Sequence, residues 1–386
     1  MTSDWITIKA ADFIDFNPRL SLKKGSIATK VAMDKLQPFT KKIPATEKAE
    51  FSGGAKFCNG DTIMARITPC LENGKTAFVD VLEEGEVGFG STEFIVLRAR
   101  EGISDPQFIY YLATSPWFRN VAIKSMVGSS GRQRVQQGVL DELELTVPSL
   151  PEQQKIGAFL AMFDEKIALN NKINDNLQQQ ASALYKSWFV DFSSVSNSEM
   201  LDSQIGKIPY GWRIYKLSEF LPVITGKKNA NVSSDKGDYP FFSCSQDFAW
   251  TDDYSFEGHA ILVAGNGDFN VKWYRGKFEA YQRTYVLIPY EERFTSWLYY
   301  AVKYNLAKIT SAARGSVIKF ITKGNLEDFS FAAPADLSSC TIIDTFATIN
   351  RKIDALTQEN YRLAAMRDTL LPRLMSGEVD VSNIEI

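Results

Sequence analysis

Cysteine and histidine are scarce in this chain, which has four cysteines and one histidine in 386 residues. Cys58, Cys70, Cys244 and Cys340 lie far apart and form no Cys-x-x-Cys pair, which argues against a disulfide framework and a zinc site. His259 has no acid or nucleophile at a recognisable spacing, so a surface or core histidine is a better interpretation than a general base. We therefore expect neither a metal centre nor histidine-based catalysis.

The chain also lacks a strong charge of either sign and a long apolar run. Its 43 Lys and Arg residues face 46 Asp and Glu residues, so the formal net charge is −3. A total charge this small does not by itself point to a partner such as DNA or an anionic membrane, and any basic surface must be local. No segment approaches the roughly 20 apolar residues of a membrane-spanning helix, and the amino terminus does not resemble an export signal. We expect a protein of the reducing cytoplasm, without a membrane partner.

Three short segments imitate catalytic motifs but lack essential parts. The GKT at 74–76 would be a phosphate loop only if a glycine replaced Pro69. The segment ILVAGNGDF (261–269) has a lone Gly-x-Gly, for which a β-turn is a better interpretation than a nucleotide site. The NPR at 17–19 begins like the Asn-Pro-Pro-aromatic signature of amino-methyltransferases but lacks its second proline and aromatic. The sequence therefore predicts no catalytic residue and no cofactor in this chain.

An internal repeat organises the chain. A shift of 186 positions places Lys166 on Lys352 and Leu177 on Leu363 without a gap. The same shift places QGVLDELELTVP (137–148) on KGNLEDFSFAAP (323–334), with matching glycine, leucine, acids and proline. A fixed period of this kind identifies repeated structural units. The chain is thus two tandem halves.

Each half ends in a long helical segment whose apolar residues recur at steps of three and four, which is a heptad pattern. From 152 to 189 a straight helix would span on the order of 55 Å. We expect the two helices to pair antiparallel, because each returns the chain to the start of another globular half. A bundle core or a dimer interface is the simpler alternative. The predicted pairing residues are Ile156, Leu160, Phe163, Ile167, Leu177, Leu184, Trp188, Ile342, Phe346, Ile349, Ile353, Leu356, Leu363 and Leu370.

Polar residues interrupt both heptad patterns, and prolines mark the helix ends. Asn170 and Asn174 interrupt the first pattern, and Asn360 and Arg367 the second. Our hypothesis is that these residues fix register and partner choice at a cost in stability. Pro151 suits an opening turn, whereas the second helix should bend or end near Leu371, because Pro372 lacks an amide donor.

The globular parts, 1–150 and 210–337, repeat an order of short β-rich runs, a helical run and a final strand. In the first part the helical run extends from Pro106 to about Ser125, and in the second it covers 294–309. This order predicts an α+β fold with mixed sheets in each part. The loops of the two parts do not match in sequence.

Those loops mix Arg, Lys, Asn, Gln and Ser with aromatic residues, as in VGSSGRQRVQQG (127–138) and GNGDFNVKWYRGK (265–277). Arg and Lys can bridge the acceptors of guanine in the major groove, and Asn and Gln can pair with adenine. Ordinary solvated loops have equal weight on composition alone.

Three segments resemble conserved regions of the specificity subunits of Type I restriction-modification systems. They are LPEQQKI (150–156) at the start of the first helix, IGKIPYGWRIYKL (205–217) at the entry to the second globular part and LLPRLMSGEVDV (370–381) at the end. The resemblance extends over the whole chain and implies two target recognition domains, each reading half of a split DNA site. The implied division is 1–150 and 210–337 for these domains, 151–192 and 338–377 for the helices, 193–209 for a linker and 378–386 for a tail.

The resemblance also implies partners. Two methyltransferase subunits would dock on the helices and restriction subunits would join them, with S-adenosylmethionine, ATP and Mg on those partners and none on this non-catalytic chain. The second half has Pro334-Ala335-Asp336-Leu337 in place of the proline and Glu-Gln signature, so we expect unequal docking. The main alternative is an interaction scaffold with two protein-binding heads, and a fused enzyme is a weaker one.

The resemblance fixes no base-reading residue, so the candidates rest on side-chain chemistry. Each could instead be a surface charge or a phosphate contact without sequence information. The candidates are Arg66, Thr68, Lys75, Ser129, Arg132, Gln133 and Arg134 in the first half and Asn266, Asn270, Lys272, Arg275, Arg283, Arg314 and Lys319 in the second.

Overall fold

The computed structural model describes residues 5–129, 131–195, 199–234, 237–311, 313–315 and 318–381. The chain divides into two compact units, Met1–Asn171 with Thr357–Ile386, and Lys172–Leu356. These boundaries cut both long helices, whereas the division predicted from the sequence kept each helix whole. Residues 196–198 of the predicted linker and 382–386 of the predicted tail lie outside the described residues.

Among the described residues, the first unit contains three sheets. The strand order β2-β9-β6-β7 is antiparallel throughout, β4-β3-β8-β5 has one parallel pair, β3 with β8, and β1 pairs with β10. The strands are β1 (Ile6–Lys9), β2 (Ile14–Phe16), β3 (Ile27–Val31), β4 (Glu47–Glu50), β5 (Lys56–Phe57), β6 (Thr62–Ala65), β7 (Thr76–Phe78), β8 (Gly88–Gly90), β9 (Phe94–Ala99) and β10 (Glu144–Val147). The helices are α1 (Ala10–Phe13), α2 (Pro106–Thr114), α3 (Pro116–Lys124), α4 (Gln137–Asp141) and the amino-terminal part of α5 (Leu150–Phe189).

The second unit repeats this topology. Its largest sheet has the order β14-β19-β17-β18-β15-β16, whose first four strands correspond to β2-β9-β6-β7, and β13 pairs with β20 as β1 does with β10. The strands are β11 (Met200–Ser203), β12 (Gly206–Pro209), β13 (Trp212–Lys216), β14 (Val223–Thr225), β15 (Tyr239–Phe242), β16 (Ala249–Thr251), β17 (Phe256–Ala264), β18 (Val271–Ala280), β19 (Thr284–Leu287) and β20 (Ser330–Pro334). The helices are α6 (Thr295–Tyr304), α7 (Leu306–Thr310), α8 (Lys323–Glu327) and α9 (Ile342–Met375), whose carboxyl-terminal part belongs to the first unit. The predicted α+β fold with an internal repeat is confirmed.

Two predicted helices are each broken into two. Ser115 separates α2 from α3, because Pro116 has no amide to donate and Ser115 takes an extended conformation before it. The hydroxyl of Ser115 then accepts a 3.3 Å hydrogen bond from the amide of Phe118 and caps α3. In the second unit the break lies at Asn305, between α6 and α7.

Of the bend or end predicted near Leu371, the end is wrong. Helix α9 continues through Pro372 to Met375, and burial of Leu374 in the first core offsets the hydrogen bond that the proline loses. The chain then turns at Gly377, whose φ is +71°, with the paired backbone bonds of a Schellman motif. A Cβ at Gly377 would lie 3.1 Å from the ring of Trp5. Glycine therefore lets the carboxyl-terminal segment pack on the first unit.

Each unit has its own core, to which both long helices contribute. In the first unit Ile156 and Leu160 of α5 pack in one cluster with Leu374 of α9. In the second unit Tyr185 of α5 and Phe346 of α9 pack in the same cluster, with ring centroids 6.5 Å apart. Burial of side chains this large contributes about 2 to 3 kcal/mol each. Within each unit the helices run antiparallel, as predicted.

Candidate nucleic-acid interface

In the first unit two loops join at the end of β6. Residues 66–68 follow this strand, and residues 127–135 lead from α3 to α4. The amide of Thr68 donates a 3.0 Å hydrogen bond to the carbonyl of Gln133. The second loop also closes on itself through two backbone hydrogen bonds of 3.0 and 2.9 Å, which makes it a hairpin. We call residues 66–68 and 127–135 the first loop pair; residue 130 lies outside the described residues.

An arginine of the first loop pair is held in place by a carboxylate. The Nε of Arg134 lies 3.0 and 2.9 Å from the two carboxylate oxygens of Glu93, and its Nη2 lies 2.6 Å from Oε1. These hydrogen bonds hold the pKa of Glu93 below its ordinary value. In the described part of the chain no hydrogen bond uses Nη1, so the terminal edge of the guanidinium stays available. A fixed guanidinium with a free edge suits the bidentate contact with which arginine reads guanine.

The second unit has a loop pair in the same place. Residues 265–267 follow β17, which corresponds to β6, and residues 314–321 precede α8, which corresponds to α4. The amide of Gly267 donates to the carbonyl of Lys319 at 3.1 Å, and the loop ends exchange two hydrogen bonds of 2.9 and 2.8 Å. We call these residues the second loop pair; 316 and 317 lie outside the described residues. The loops that do not match in sequence therefore share one backbone arrangement.

The two loop pairs differ in their charged groups. The backbone carbonyl of Glu93 accepts a 2.9 Å hydrogen bond from the amide of Arg66, the first residue after β6. The backbone carbonyl of Arg283 likewise accepts a 2.8 Å hydrogen bond from the amide of Gly265, the first residue after β17. The repeat offset places Phe320 where Arg134 stands. The first pair thus has an arginine fixed by an acid, and the second has an exposed Arg283 with no acid at that place. Glu93 was not among the residues predicted from the sequence, although an acid directly before the apolar run of β9 was a usable signal.

Ten of the fourteen predicted DNA-binding residues lie in or against the two loop pairs. Most of their side chains are exposed, and Arg66, Thr68, Gln133 and Asn266 are half-buried. In the first unit they are Arg66, Thr68, Ser129, Arg132, Gln133 and Arg134, and in the second Asn266, Arg283, Arg314 and Lys319.

The other four predicted residues bond within their own unit. Lys75 and Lys272 donate to backbone carbonyls at 3.0 and 3.2 Å, and burial lowers the pKa of Lys272. The side-chain nitrogen of Asn270 donates to two backbone carbonyls at 2.8 and 3.0 Å. Arg275 forms an ion pair of 3.1 Å with Glu292. All four residues lie outside the two loop pairs.

The predicted helix-pairing residues are unequally buried. Ile156, Leu160, Phe346, Ile353 and Leu356 are buried. The others are half-buried, namely Phe163, Ile167, Leu177, Leu184, Trp188, Ile342, Ile349, Leu363 and Leu370.

The motif LPEQQKI at the start of α5 has a role inside the first unit. Gln153 is buried, and its side-chain oxygen accepts the amide of Asp105 at 3.0 Å. Its nitrogen donates to the carbonyls of Ile103 at 3.1 Å and Pro148 at 3.0 Å. This glutamine fixes the first turn of α5 to the start of α2.

The described residues show no cluster of three or more His, Cys, Asp and Glu that could hold a metal ion. The Nδ1 of His259 lies 3.6 Å from Glu292, and burial lowers the pKa of this histidine. Across those same residues, none of the helices has both the length and the apolar character to span a membrane.

A family model described as the Type I restriction modification DNA specificity domain matches residues 4–179 and 209–364. The EcoDI specificity subunit of Escherichia coli is 37% identical over 178 residues, which are 45% of this chain and 40% of that protein. The HindI specificity subunit of Haemophilus influenzae is 25% identical over 404 residues, covering 83% of this chain and 86% of that one.

A solved structure shares the fold. The crystal structure of a Type I restriction-modification system S subunit from M. genitalium superposes with a TM-score of 0.57 at 16% identity, over 97% of each chain. Since the family model covers most of both halves, this chain belongs to the family of the Type I restriction modification DNA specificity domain and carries two copies of it.

Proposed function

We propose that this chain is the DNA specificity subunit of a Type I restriction-modification complex, in which each loop pair reads one half of a split DNA site. The observation that carries the proposal is the repeated backbone of the two loop pairs with different side chains on each. A fixed framework with variable polar groups is what base reading requires, because the groove edges are distinguished by their donors and acceptors. Family membership supports the same function.

The proposal places the chemistry on other subunits. Helices α5 and α9 would dock two methyltransferase subunits, which restriction subunits join, and S-adenosylmethionine, ATP and Mg would bind those partners. The complex would act in the cytoplasm, on double-stranded DNA. If the partner subunits supply many of the contacts to the DNA phosphates, a specificity chain with a net charge of only −3 is accounted for.

The first experiment is to sequence the modified bases of cells with this gene intact and deleted. We expect methyladenine in a split motif with an unread central spacer, which disappears on deletion. Methylation that is unchanged while the partner subunits are active would favour an interaction scaffold instead.

Single substitutions assign the half-sites. Arg134→Gln should relax one base pair in one half of the motif, with a discrimination loss of about 1 to 3 kcal/mol, and leave the other half unchanged. Lys319→Gln is the matched change in the second loop pair and should act only on the other half. Relaxation of both halves by either variant would contradict one loop pair per half-site.

The spacer tests the proposed role of the long helices. Inserting four residues into both α5 and α9 adds about 6 Å to each. At about 3.4 Å per base pair, the unread spacer should grow by roughly two base pairs. An unchanged spacer would mean that something other than these helices sets the separation.

A further inference from the structure

Beside the first loop pair, the first unit has an open cleft of about 640 Å³. Four separate segments line it, through residues 17–20, residues 54–56, Arg66, and three residues at and before β9, namely Thr92, Phe94 and Val96. Its cations are Arg19, Lys56 and Arg66, and no aspartate or glutamate is among the described residues that line it. Within the described chain none of the three cations forms an ion pair. In a protein whose net charge is −3, such a cleft is a local basic surface.

The segment that carries Arg19 is fixed by the NPR sequence. Asn17 has a left-handed backbone with φ of 50°, and its amide donates to the carbonyl of Val96 at 2.7 Å. Its side-chain oxygen accepts the amide of Val96 at 3.0 Å, and its side-chain nitrogen donates to Gln137 at 2.7 Å. Asparagine tolerates this conformation and also continues the hydrogen bonding of β9. The turn brings Pro18 and Arg19 to the cleft wall.

The opposite wall is equally constrained. Gly54 has a φ of +120°, and a Cβ there would lie 1.9 Å from the carbonyl oxygen of Gly90, so only glycine allows this approach. Lys56 follows at the start of β5, and its ammonium donates to the carbonyl of Leu20. The cation is thus tied to the segment that carries Arg19, with two of its three donors left over.

Arg66 completes the set. Its Nη2 donates to the carbonyl of Val135 at 3.3 Å, while its Nε is buried without a hydrogen-bond partner. Buried donors without a partner are rare in folded proteins. The nearby carboxylate of Glu93 is already bonded to Arg134. The floor of the cleft is apolar, with Phe94 and Val96 buried. The recognition chemistry of the cleft is therefore that of an anion.

We propose that this cleft binds phosphates of the DNA backbone next to the half-site that the first loop pair reads. The inference rests on the proposed function and adds a positioning contact to it. Arginine and lysine recognise phosphate oxygens through charge-assisted hydrogen bonds. Contacts of this kind fix the register of a protein on the duplex without reading sequence.

The test measures binding of the full chain, assembled with its methyltransferase subunits, to duplexes with and without the motif, between 50 and 200 mM salt. Each lost phosphate contact should lower the salt slope by about 0.9, so the affinity should fall roughly 3.5-fold less across this range. We expect this for Arg19→Gln and for Lys56→Gln, equally on both duplexes and with an unchanged methylation motif.

Two further variants serve as controls. Arg19→Lys retains the charge and should retain the slope, while Lys24→Gln removes one exposed cation that does not line the cleft and should change it little. Lys56→Gln also removes the hydrogen bond to the carbonyl of Leu20. If that variant does not fold, Arg19→Gln decides the result, because the side chain of Arg19 is exposed.

Two outcomes would overturn the proposal. If both variants keep the wild-type salt slope and the methylation motif is intact, the cleft does not contact the DNA backbone. A loss confined to one base pair of the motif would make Arg19 a base reader. If the variants show a reduced salt slope but the wild-type gene produces no split methylation motif, the phosphate site is retained and the proposed specificity function is rejected.

Discussion

The two units make the same helix contact with different chemistry. In the first unit the hydroxyl of Tyr111 on α2 donates to Asp164 on α5 at 2.5 Å. In the second the hydroxyl of Tyr300 on α6 donates to Asn350 on α9 at 2.9 Å. The repeat offset of 186 places Asn350 on Asp164. One buried junction between a globular part and a long helix is thus charged in one unit and neutral in the other.

The charge difference extends to a second position. Arg367 bonds Asp164 in the first unit, and the same offset places Ala181 where Arg367 stands. Burial alone would lower the pKa of Arg367, but Asp164 and Asp368 outweigh it and raise that pKa. Removing one member of a buried ion pair leaves the other charge without compensation. The two positions thus differ together, because Asp164 and Arg367 form an ion pair in the first unit and the corresponding Asn350 and Ala181 are both neutral.

Breaking the pair should have the largest effect. Arg367→Ala leaves Asp164 buried without its ion-pair partner and should destabilise the first unit by about 3 to 5 kcal/mol. Because the chain has two units, one overall unfolding free energy is not well defined. Hydrogen exchange of peptides from α2 and α5, followed by mass spectrometry, measures the local value.

The double variant Asp164→Asn with Arg367→Ala is the control, since it installs the pattern of the second unit. We expect it to recover most of the loss. A double variant as unstable as Arg367→Ala would show that the neutral junction depends on other residues of the second unit.

The starts of the long helices differ in a similar way. Gln153, buried at 2% exposure, ties the first turn of α5 through three hydrogen bonds. In the second unit Arg293 reaches the start of α9 from outside, bonding Asp344 at 2.8 Å with 30% of its side chain exposed.

Gln153→Ala should cost the first unit about 2 to 3 kcal/mol, because buried backbone groups lose their partners. Arg293→Ala should cost the second unit about 1 kcal/mol or less, since water reaches its partners. Hydrogen exchange of peptides from α2 and α5 for the first variant, and from α9 for the second, checks this order, which equal losses would refute.

The repeat, the fold class and the antiparallel helices were predictable because they depend on periods that persist along the chain. The break at Pro116 was also visible in the sequence, whereas the continuation of α9 through Pro372 depends on burial of Leu374 in a tertiary core. Heptad analysis counts apolar positions, so it gave no role to Asp164.

The site was less predictable because its groups come from distant segments. Glu93 and Arg134 are 41 positions apart, and only the adjacent ends of β6 and β9 bring them together. Loop composition identified Arg134 but could not supply its partner. The cleft cations Arg19, Lys56 and Arg66 likewise meet only in the folded unit.

A pH series should sharpen the comparison through Lys41, a buried lysine near the charged junction. Its ammonium donates to the hydroxyl of Tyr111 at 3.1 Å, and burial lowers its pKa to about 8. An unfolded lysine titrates near 10.4, so between these values the unfolded state binds more protons and stability rises with pH. Compared with Lys41→Met, the first unit should gain roughly 2 kcal/mol from pH 7.5 to pH 9.5. Parallel pH profiles of the two proteins would contradict a buried, charged Lys41.

The smallest effect should come from a polar residue within the helix pair. Asn170 is fully buried and donates to Asn360 and Glu359 at 2.9 Å, but its side-chain oxygen lacks a partner. The repeat offset places Leu356 on this position. Asn170→Leu should therefore stabilise the first unit by about 1 kcal/mol, because an apolar side chain replaces an incompletely bonded amide, while the register becomes less defined. Leu356→Asn, the reciprocal change, should destabilise the second unit. Hydrogen exchange of peptides from α5 and α9 measures both, and a loss of stability in Asn170→Leu would show that the asparagine contributes more than register.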